Sequence, residues 1–370
     1  MYLKTIISVL LSNYVCMYLS SGEKIMKYKK ISIVTPTLNS MRTLEMYLDA
    51  VDKQVYPHKY IELIFVDGGS TDGTLEKITQ YRKESDFKIS VFENPLRTGE
   101  AGKSVGVKKA RGEIICLLDS DNIIPDTRWM ERMIKPFQDE KIVASEPIAY
   151  TYRKKDNVIN RYCALIGMGD PLCMFTGNYD RYCRITNKWT EVDREEMDCG
   201  DYLSVCFHVN MIPTIGANGF FIRRKFLIKK LGGGEYLFDI DILWEILLEN
   251  PQLRIAKVKT GIIHLYCDNF QSFYRKQIRR ISDYYYFNYI KQRKYPWNKV
   301  KKGKIVMFCL SCITVIPLLL QAIIGFRRKQ DLRAWLFHIA ACWITLWAYG
   351  WGTIKSVFRK KIVDRNHWKQ

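Results

Sequence analysis

The stretch GEIICLLDSDNIIP, Gly112 to Pro125, decides how the rest of the chain is read. Ile114 to Leu118 is an unbroken apolar run, the pattern of a strand buried on both faces of a parallel sheet. It ends in Asp119-Ser120-Asp121, and Pro125 closes the turn that follows. Two carboxylates at i and i+2, just past the carboxyl end of a buried strand, stand where open α/β sheets place ligands. A hard divalent cation takes oxygen ligands and bridges protein carboxylates to phosphates. A solvated turn after a strand has the same composition, so the pair needs support from elsewhere in the chain.

Three strand–helix units precede it. Ile31 to Thr35 reads as the first strand, with Pro36-Thr37-Leu38-Asn39-Ser40 as its exit loop. Leu44, Tyr47, Leu48 and Val51 recur at i, i+3, i+4 and i+7, one apolar helix face. Ile61 to Val66 is a second buried strand and runs into Asp67-Gly68-Gly69-Ser70-Thr71-Asp72-Gly73, where Asp72 is expected to cap a helix from Thr74. Ile89 to Phe92 is a third strand, followed by Arg97, Lys103 and several glycines on the way to Gly112. This alternation predicts right-handed crossovers and a mostly parallel sheet with ligands at its carboxyl edge.

Taken together, TPTLNS, VDGGSTDGT and LLDSDN resemble, in order and spacing, the family 2 glycosyltransferases with the GT-A fold, over about residues 30–265. The resemblance implies inverting transfer of a sugar from a nucleotide-sugar donor. It implies that the Pro36 loop, with Asn39, and Asp67 meet the nucleobase and ribose. Asp119, with Ser120 beside it, would contact the donor ribose or diphosphate, and Asp121 the metal, Mn²⁺ or Mg²⁺, to which Asp119 is a second candidate ligand. Arg97 and Lys103 are candidate diphosphate contacts. From Val143 to Val209 aromatics, cysteines and acidic residues mix without clean periodicity, in the region where the fold carries acceptor-side loops. Ile215 to Arg224 looks like the family's acceptor-side segment. In Phe238-Asp239-Ile240-Asp241, Phe238 stands where many relatives have Glu. Asp239 then matches the catalytic base, with Asp241 as a structural partner or the base itself, or as a cap of the helix that follows. His264, after the strand Gly261-Ile262-Ile263, is a candidate metal or acceptor contact.

Charge and hydropathy set the C-terminal third apart. The 370 residues carry a net charge of +20, and residues 271–370 hold 21 Lys and Arg against 3 Asp and Glu. Basicity confined to a region of long apolar runs signifies a membrane surface and argues against nucleic acid as a partner. Phe270, Phe273, Tyr274, Ile278, Ile281 and Tyr285 have helical spacing opposite Arg275, Lys276, Arg279 and Arg280, which predicts an amphipathic interfacial helix. Gln277-Ile278-Arg279-Arg280 also resembles a Gln-x-x-Arg motif of processive synthases, but Ile281 stands where Trp would follow. Ile305 to Phe326 lacks any charge and as a helix would be about 33 Å long, enough to span a bilayer. Ala334 to Ile354 predicts a second span, rich in Trp. Eleven cysteines lack a repeated metal-binding spacing, Cys309 and Cys312 being so spaced only inside an apolar run, and are expected to be reduced thiols.

The expected organisation is an N-terminal extension or weak anchor (1–25) and a GT-A domain (26–267). A basic, aromatic interfacial segment (268–304), a transmembrane hairpin (305–354) and a basic cytoplasmic tail (355–370) follow. An integral membrane protein with its catalytic domain in the cytoplasm would take a membrane-associated acceptor: a lipid-linked glycan, a glycolipid or a polyprenyl phosphate. The alternatives are a processive polysaccharide synthase and a membrane-anchored nucleotide-sugar binder without turnover. A nucleotidyltransferase would need a Gly-rich basic loop after the first strand, and Thr35 to Ser40 has none.

Overall fold

Strand alternation sorts the core. Ile114, Cys116 and Leu118 point to one face of the sheet and Ile115 and Leu117 to the other, and all five are buried. The computed structural model describes residues 28–208, 211–297 and 302–358. The N-terminal extension and most of the tail expected above lie outside the described residues.

The first half runs β1 (Ile31–Thr37), α1 (Met41–Asp52), β2 (Ile61–Asp67), α2 (Thr74–Glu84), β3 (Lys88–Glu93), α3 (Gly99–Lys109), β4 (Ile114–Leu118), β5 (Asn122–Ile123), α4 (Trp129–Ile134) and β6 (Ile142–Tyr150). Then come α5 (Val158–Ile166), α6 (Leu172–Thr176), β7 (Arg194–Asp198), β8 (Tyr202–Phe207), β9 (Asn218–Arg223), α7 (Arg224–Leu231), α8 (Asp239–Glu249) and β10 (Arg254–His264). The chain closes with α9 (Phe270–Tyr289), α10 (Lys302–Thr314), α11 (Ile316–Arg328) and α12 (Leu332–Phe358).

The sheet order is β3-β2-β1-β4-β9-β6-β10-β8-β7, with β5 paired to β10. From β3 to β4 every pairing is parallel. The sheet as a whole is mixed, which corrects the expected mostly parallel one: β9 runs antiparallel between β4 and β6, and β8 and β7 add antiparallel to β10. Apolar runs show where strands are buried but not which way they run. Residues of α1, α2 and α4 cover one face of the sheet, and α3, α7 and α8 cover the other. Each fully buried Leu, Ile or Phe side chain contributes ~1.5–3 kcal/mol to holding these layers. The α3–β1 approach is set by glycine. A Cβ at Gly106 would lie 2.4 Å from Val34 Cγ1 and one at Gly102 2.8 Å from Pro36 Cβ, so side chains there would push α3, and Lys103 with it, off the sheet edge.

The C-terminal helices do not form the expected transmembrane hairpin. The first predicted span breaks at Val315, and α10 and α11 are bent by 91°. Pro317 explains the break, because it removes a helix hydrogen bond and crowds the preceding turn; Val315 takes φ 62°. Among the described residues no single helix is long and apolar enough to cross a membrane; the bent pair would be so only by length and composition. Instead, Phe308, Cys312, Leu318, Trp335, Phe337 and Cys342 share a core with Ile159, Tyr162 and Phe175 of α5 and α6. Polar contacts fasten this unit: Arg161 Nε lies 2.7 Å from Asp331 Oδ2, and His338 contacts the Tyr162 hydroxyl at 2.8 Å and Gln321 at 2.9 Å.

The segment expected to lie in a membrane interface is also placed differently. On α9, Phe273, Gln277 and Phe287 are buried in protein, and Arg275, Lys276 and Arg279 line a cleft at the sheet edge. The ten described cysteines are free thiols, as expected.

Candidate active site

Two cavities meet at the carboxyl edge of β1, β2 and β4. The smaller, about 410 Å³, is walled by Pro36, Asn39, Arg97, Asp119, Ser120 and Asp121 from the sheet side and by Arg275, Lys276 and Arg279 of α9 from the other. The larger, about 910 Å³, holds Lys103, Asp239 and His264 and runs on to the C-terminal helices. Tyr266 and Arg279 line both.

The Asp119-Ser120-Asp121 turn is held between two strands. Asp119 N–H donates to the Ala217 carbonyl (3.1 Å) and its carbonyl accepts from Asn122 N–H (2.9 Å). The β5–β10 pairing sets His264 opposite Asn122, which brings His264 Nε2 within 3.7 Å of Asp121 Oδ2. Lys276 Nζ approaches the same oxygen at 3.5 Å. Asp119 Oδ1 and His264 Nδ1 are buried without a hydrogen-bond partner. Burial, opposed by Lys103 and reinforced by Asp121 and Asp239, pushes the Asp119 carboxyl up to about 7. Burial also lowers the His264 pKa, opposed by Asp121, which favours the neutral imidazole a metal ion requires.

Among the described residues no three His, Cys, Asp or Glu side chains gather in a metal-binding group. Asp121 and His264 offer one oxygen and one nitrogen side by side, and the unsatisfied Asp119 oxygen lies at the same turn. Such a donor set suits a cation completed by diphosphate oxygens and water.

Asp67 is spent on its own turn. It accepts from Thr37 Oγ1 (2.8 Å), Ser70 Oγ (2.6 Å) and the N–H groups of Gly69 and Ser70 (both 2.8 Å). Asn39 likewise braces the loop, accepting from Thr71 N–H at 2.8 Å. Asp72 accepts from Thr74 N–H and Oγ1, although Gly73 holds the cap position.

Asp239 and Asp241, two residues apart at the start of α8, have different surroundings. Asp241 is bound by Arg293 (2.6 and 3.1 Å) and by the N–H groups of Lys294 (2.6 Å) and Tyr295 (3.3 Å). It lines neither cavity. Asp239, 9% exposed, faces the larger cavity, pairs one oxygen with Lys103 and leaves Oδ1 buried and unpartnered. Burial raises its pKa, with Lys103 pulling the other way. Lys103 stays protonated: burial lowers its pKa, but Asp239, Glu100 and Asp119 together outweigh that. Lys103, a candidate diphosphate contact from the sequence, thus pairs with the Asp239 carboxylate and lines the larger cavity. The cations lining the smaller cleft are Arg42, Arg97, which the sequence makes a candidate diphosphate contact, and Arg275, Lys276 and Arg279 of α9, which sequence reasoning had not placed at the site.

Residues 32–188 match the family described as glycosyl transferase family 2. The chain carries a family 2 glycosyltransferase domain. Asp239, Asp241 and His264 lie beyond the matched residues. Glycosyltransferase AglE of Haloferax volcanii is 27% identical over 139 residues, 37% of this chain and 45% of that protein. The dolichyl N-acetyl-α-D-glucosaminyl phosphate 3-β-D-2,3-diacetamido-2,3-dideoxy-β-D-glucuronosyltransferase of Methanococcus voltae is 29% identical over 118 residues, 32% of this chain and 36% of that protein. The chain thus aligns with less than half the length of these relatives. Mannosyltransferase PcManGT from Pyrobaculum calidifontis, solved with GDP-Man and Mn²⁺, superposes with TM-score 0.51 at 15% identity over 93% of this chain and 94% of that one. At that identity the likeness establishes the shared GT-A-like α/β fold around the glycosyltransferase domain.

Proposed function

We propose that the chain is an inverting, metal-dependent glycosyltransferase that moves a sugar from a nucleotide-sugar donor to a hydroxyl of a membrane-associated acceptor. The observation that carries this reading is Asp239: a buried carboxylate with one unpartnered oxygen, on the wall of a cavity that joins the Asp121 cleft. The donor lies in the smaller cleft, its diphosphate facing Arg275, Lys276 and Arg279. Asp121 and His264 would hold a divalent cation, which would supply charge neutralisation for the diphosphate leaving group. Asp239 takes the acceptor proton as the acceptor oxygen bonds to the anomeric carbon and the bond to the diphosphate breaks. Lys103 keeps the carboxylate ionised and fixes its direction. Asp241, clamped by Arg293, is a structural residue.

The membrane part of the reading rests on the outer face of α10, α11 and α12. Val306, Leu310, Ile313, Leu320 and Ile323 are exposed there, as are Trp343, Trp347 and Trp351. Apolar patches of this extent mark interaction surfaces. Arg327, Arg328, Lys329 and Arg333 adjoin the face, as basic residues do beside an anionic cytoplasmic leaflet. The face lies on the bilayer without crossing it.

Thermal-shift screening of the purified chain against UDP-, GDP- and dTDP-sugars with Mn²⁺ or Mg²⁺ tests the donor reading. The true donor stabilises the native state by mass action and only with metal present. A uniform lack of shift would contradict it.

A further inference from the structure

The larger cavity changes character along its length. At the sheet edge its wall is polar: Asp239, Asn178, Asp180 and Asn218 can exchange hydrogen bonds with sugar hydroxyls. At the other end it is walled by Ile305, Phe308, Cys309 and Leu346 of α10 and α12. Ile305 is also 41% exposed, so the apolar end of the cavity and the outward apolar face of α10 meet at one residue. A volume of about 910 Å³ is large for a single sugar, since pockets of roughly 300–1,000 Å³ bury whole drug-sized ligands.

We propose that this cavity is an amphiphile site: it seats the sugar of a lipid-linked acceptor at Asp239 and leads its hydrocarbon chain between α10 and α12 onto the apolar face. This deepens the glycosyltransferase reading and rests on it for the role of Asp239. The occupant is a lipid because one part of the lining, Ile305, Phe308, Cys309 and Leu346, is apolar and continues through Ile305 onto the exposed apolar face. A water-soluble polymer acceptor would need polar groups along its whole path. It also accounts for how the C-terminal helices are built. Pro317 bends α10 away from α11, and the contacts of Asp331 and His338 hold the unit against α5, so the apolar end stays aligned with the base.

The test uses Cys309, a half-buried thiol on the apolar wall, as a reporter. The full chain in phosphatidylcholine nanodiscs is alkylated with N-ethylmaleimide, and each cysteine peptide is followed by mass spectrometry. Dodecyl glucoside, below its micelle concentration, should slow alkylation of Cys309 at least tenfold. Methyl glucoside should not, and exposed Cys199 should be unaffected by either. Gly350→Leu supplies the control. Gly350 lines the cavity, and a Cβ there meets no atom within 4 Å, so leucine has room for its Cβ and takes up volume at the cavity wall. In this variant dodecyl glucoside should protect Cys309 at least tenfold less well. Equal Cys309 rates with and without dodecyl glucoside would overturn the proposal. Equal protection by methyl glucoside would do so too, as would protection unchanged in Gly350→Leu, which would mean shielding by the outer face alone. Metal-dependent release of nucleoside diphosphate from donor, measured on the same sample, scores the glycosyltransferase reading separately.

Discussion

The cleft at Asp121 and the cavity at Asp239 share Tyr266 and Arg279, yet they are built from different parts of the chain. The cleft is assembled mainly from loops at the ends of the parallel strands β1 to β4, with α9 closing its other side. The cavity is assembled from α3, α6, α8, α9, α10 and α12 and the loops beside them, with no repeated unit among them. The first arrangement is a polar cleft, with the Asp119–Asp121 turn and its unpartnered Asp119 Oδ1 on one wall and the cations of α9 on the other. The second holds a reactive carboxylate by burying it beside one lysine. The difference teaches that binding and proton transfer can be disabled independently here, and the predictions exploit that.

The largest expected effect belongs to Asp239. Asp239→Asn should lower turnover by about two to four orders of magnitude, the usual worth of a general base. Steady-state kinetics with a hydroxyl acceptor check this, and full activity in the variant would point to an acceptor that needs no base, such as a phosphate. Asp241→Ala should act on folding. Its loss leaves Arg293 in a mostly buried place with no carboxylate, which costs about 3–5 kcal/mol. A urea titration should record a lower midpoint; if the midpoint holds and turnover is lost, the base lies two residues further on.

A smaller effect is expected at Lys103. Without its ammonium the Asp239 carboxyl, already raised by burial, should rise further. In Lys103→Met the acid limb of the kcat/KM profile should therefore move to higher pH. An unmoved limb would detach Lys103 from the base.

The smallest effect is on stability at the cleft. The folded Asp119 carboxyl sits at about 7, above the usual unfolded value of about 4. The native state thus binds more protons in that window, and its stability falls as pH rises from about 4 to about 7. Asp119→Asn removes the effect. The ligand-free variant should gain a few degrees in Tm over the parent at pH 8 and nothing at pH 4. An equal gain at both pH values would mean that the carboxylate charge is not the cause.

The same division governed what could be read from the sequence. In the first half, every apolar run is followed by a loop of turn-forming and acidic residues, so β1 to β4 and their loops were legible. The pairing of Lys103 with Asp239 was not legible, because it depends on how closely Gly102 and Gly106 let α3 approach β1. The basic stripe of α9 was legible as a stripe, but periodicity does not say whether water, lipid or ligand faces it. The charge-free run from Ile305 to Phe326 was read as a span by counting hydropathy and passing over Pro317. Asp239 was found by motif resemblance alone; its distinction from Asp241 depends on Arg293, a residue more than fifty positions away.

Donor titration by calorimetry in the presence of Mn²⁺, run in parallel on the parent, Asp121→Ala and Asp239→Asn, tests the central claim most directly. The account predicts that Asp121→Ala loses metal-dependent donor binding while remaining folded, and that Asp239→Asn binds donor with the parent's affinity. Equal loss in both variants would place Asp239 in the donor site, and unimpaired binding in Asp121→Ala would remove the metal from the cleft; either result contradicts the division of labour between the two cavities.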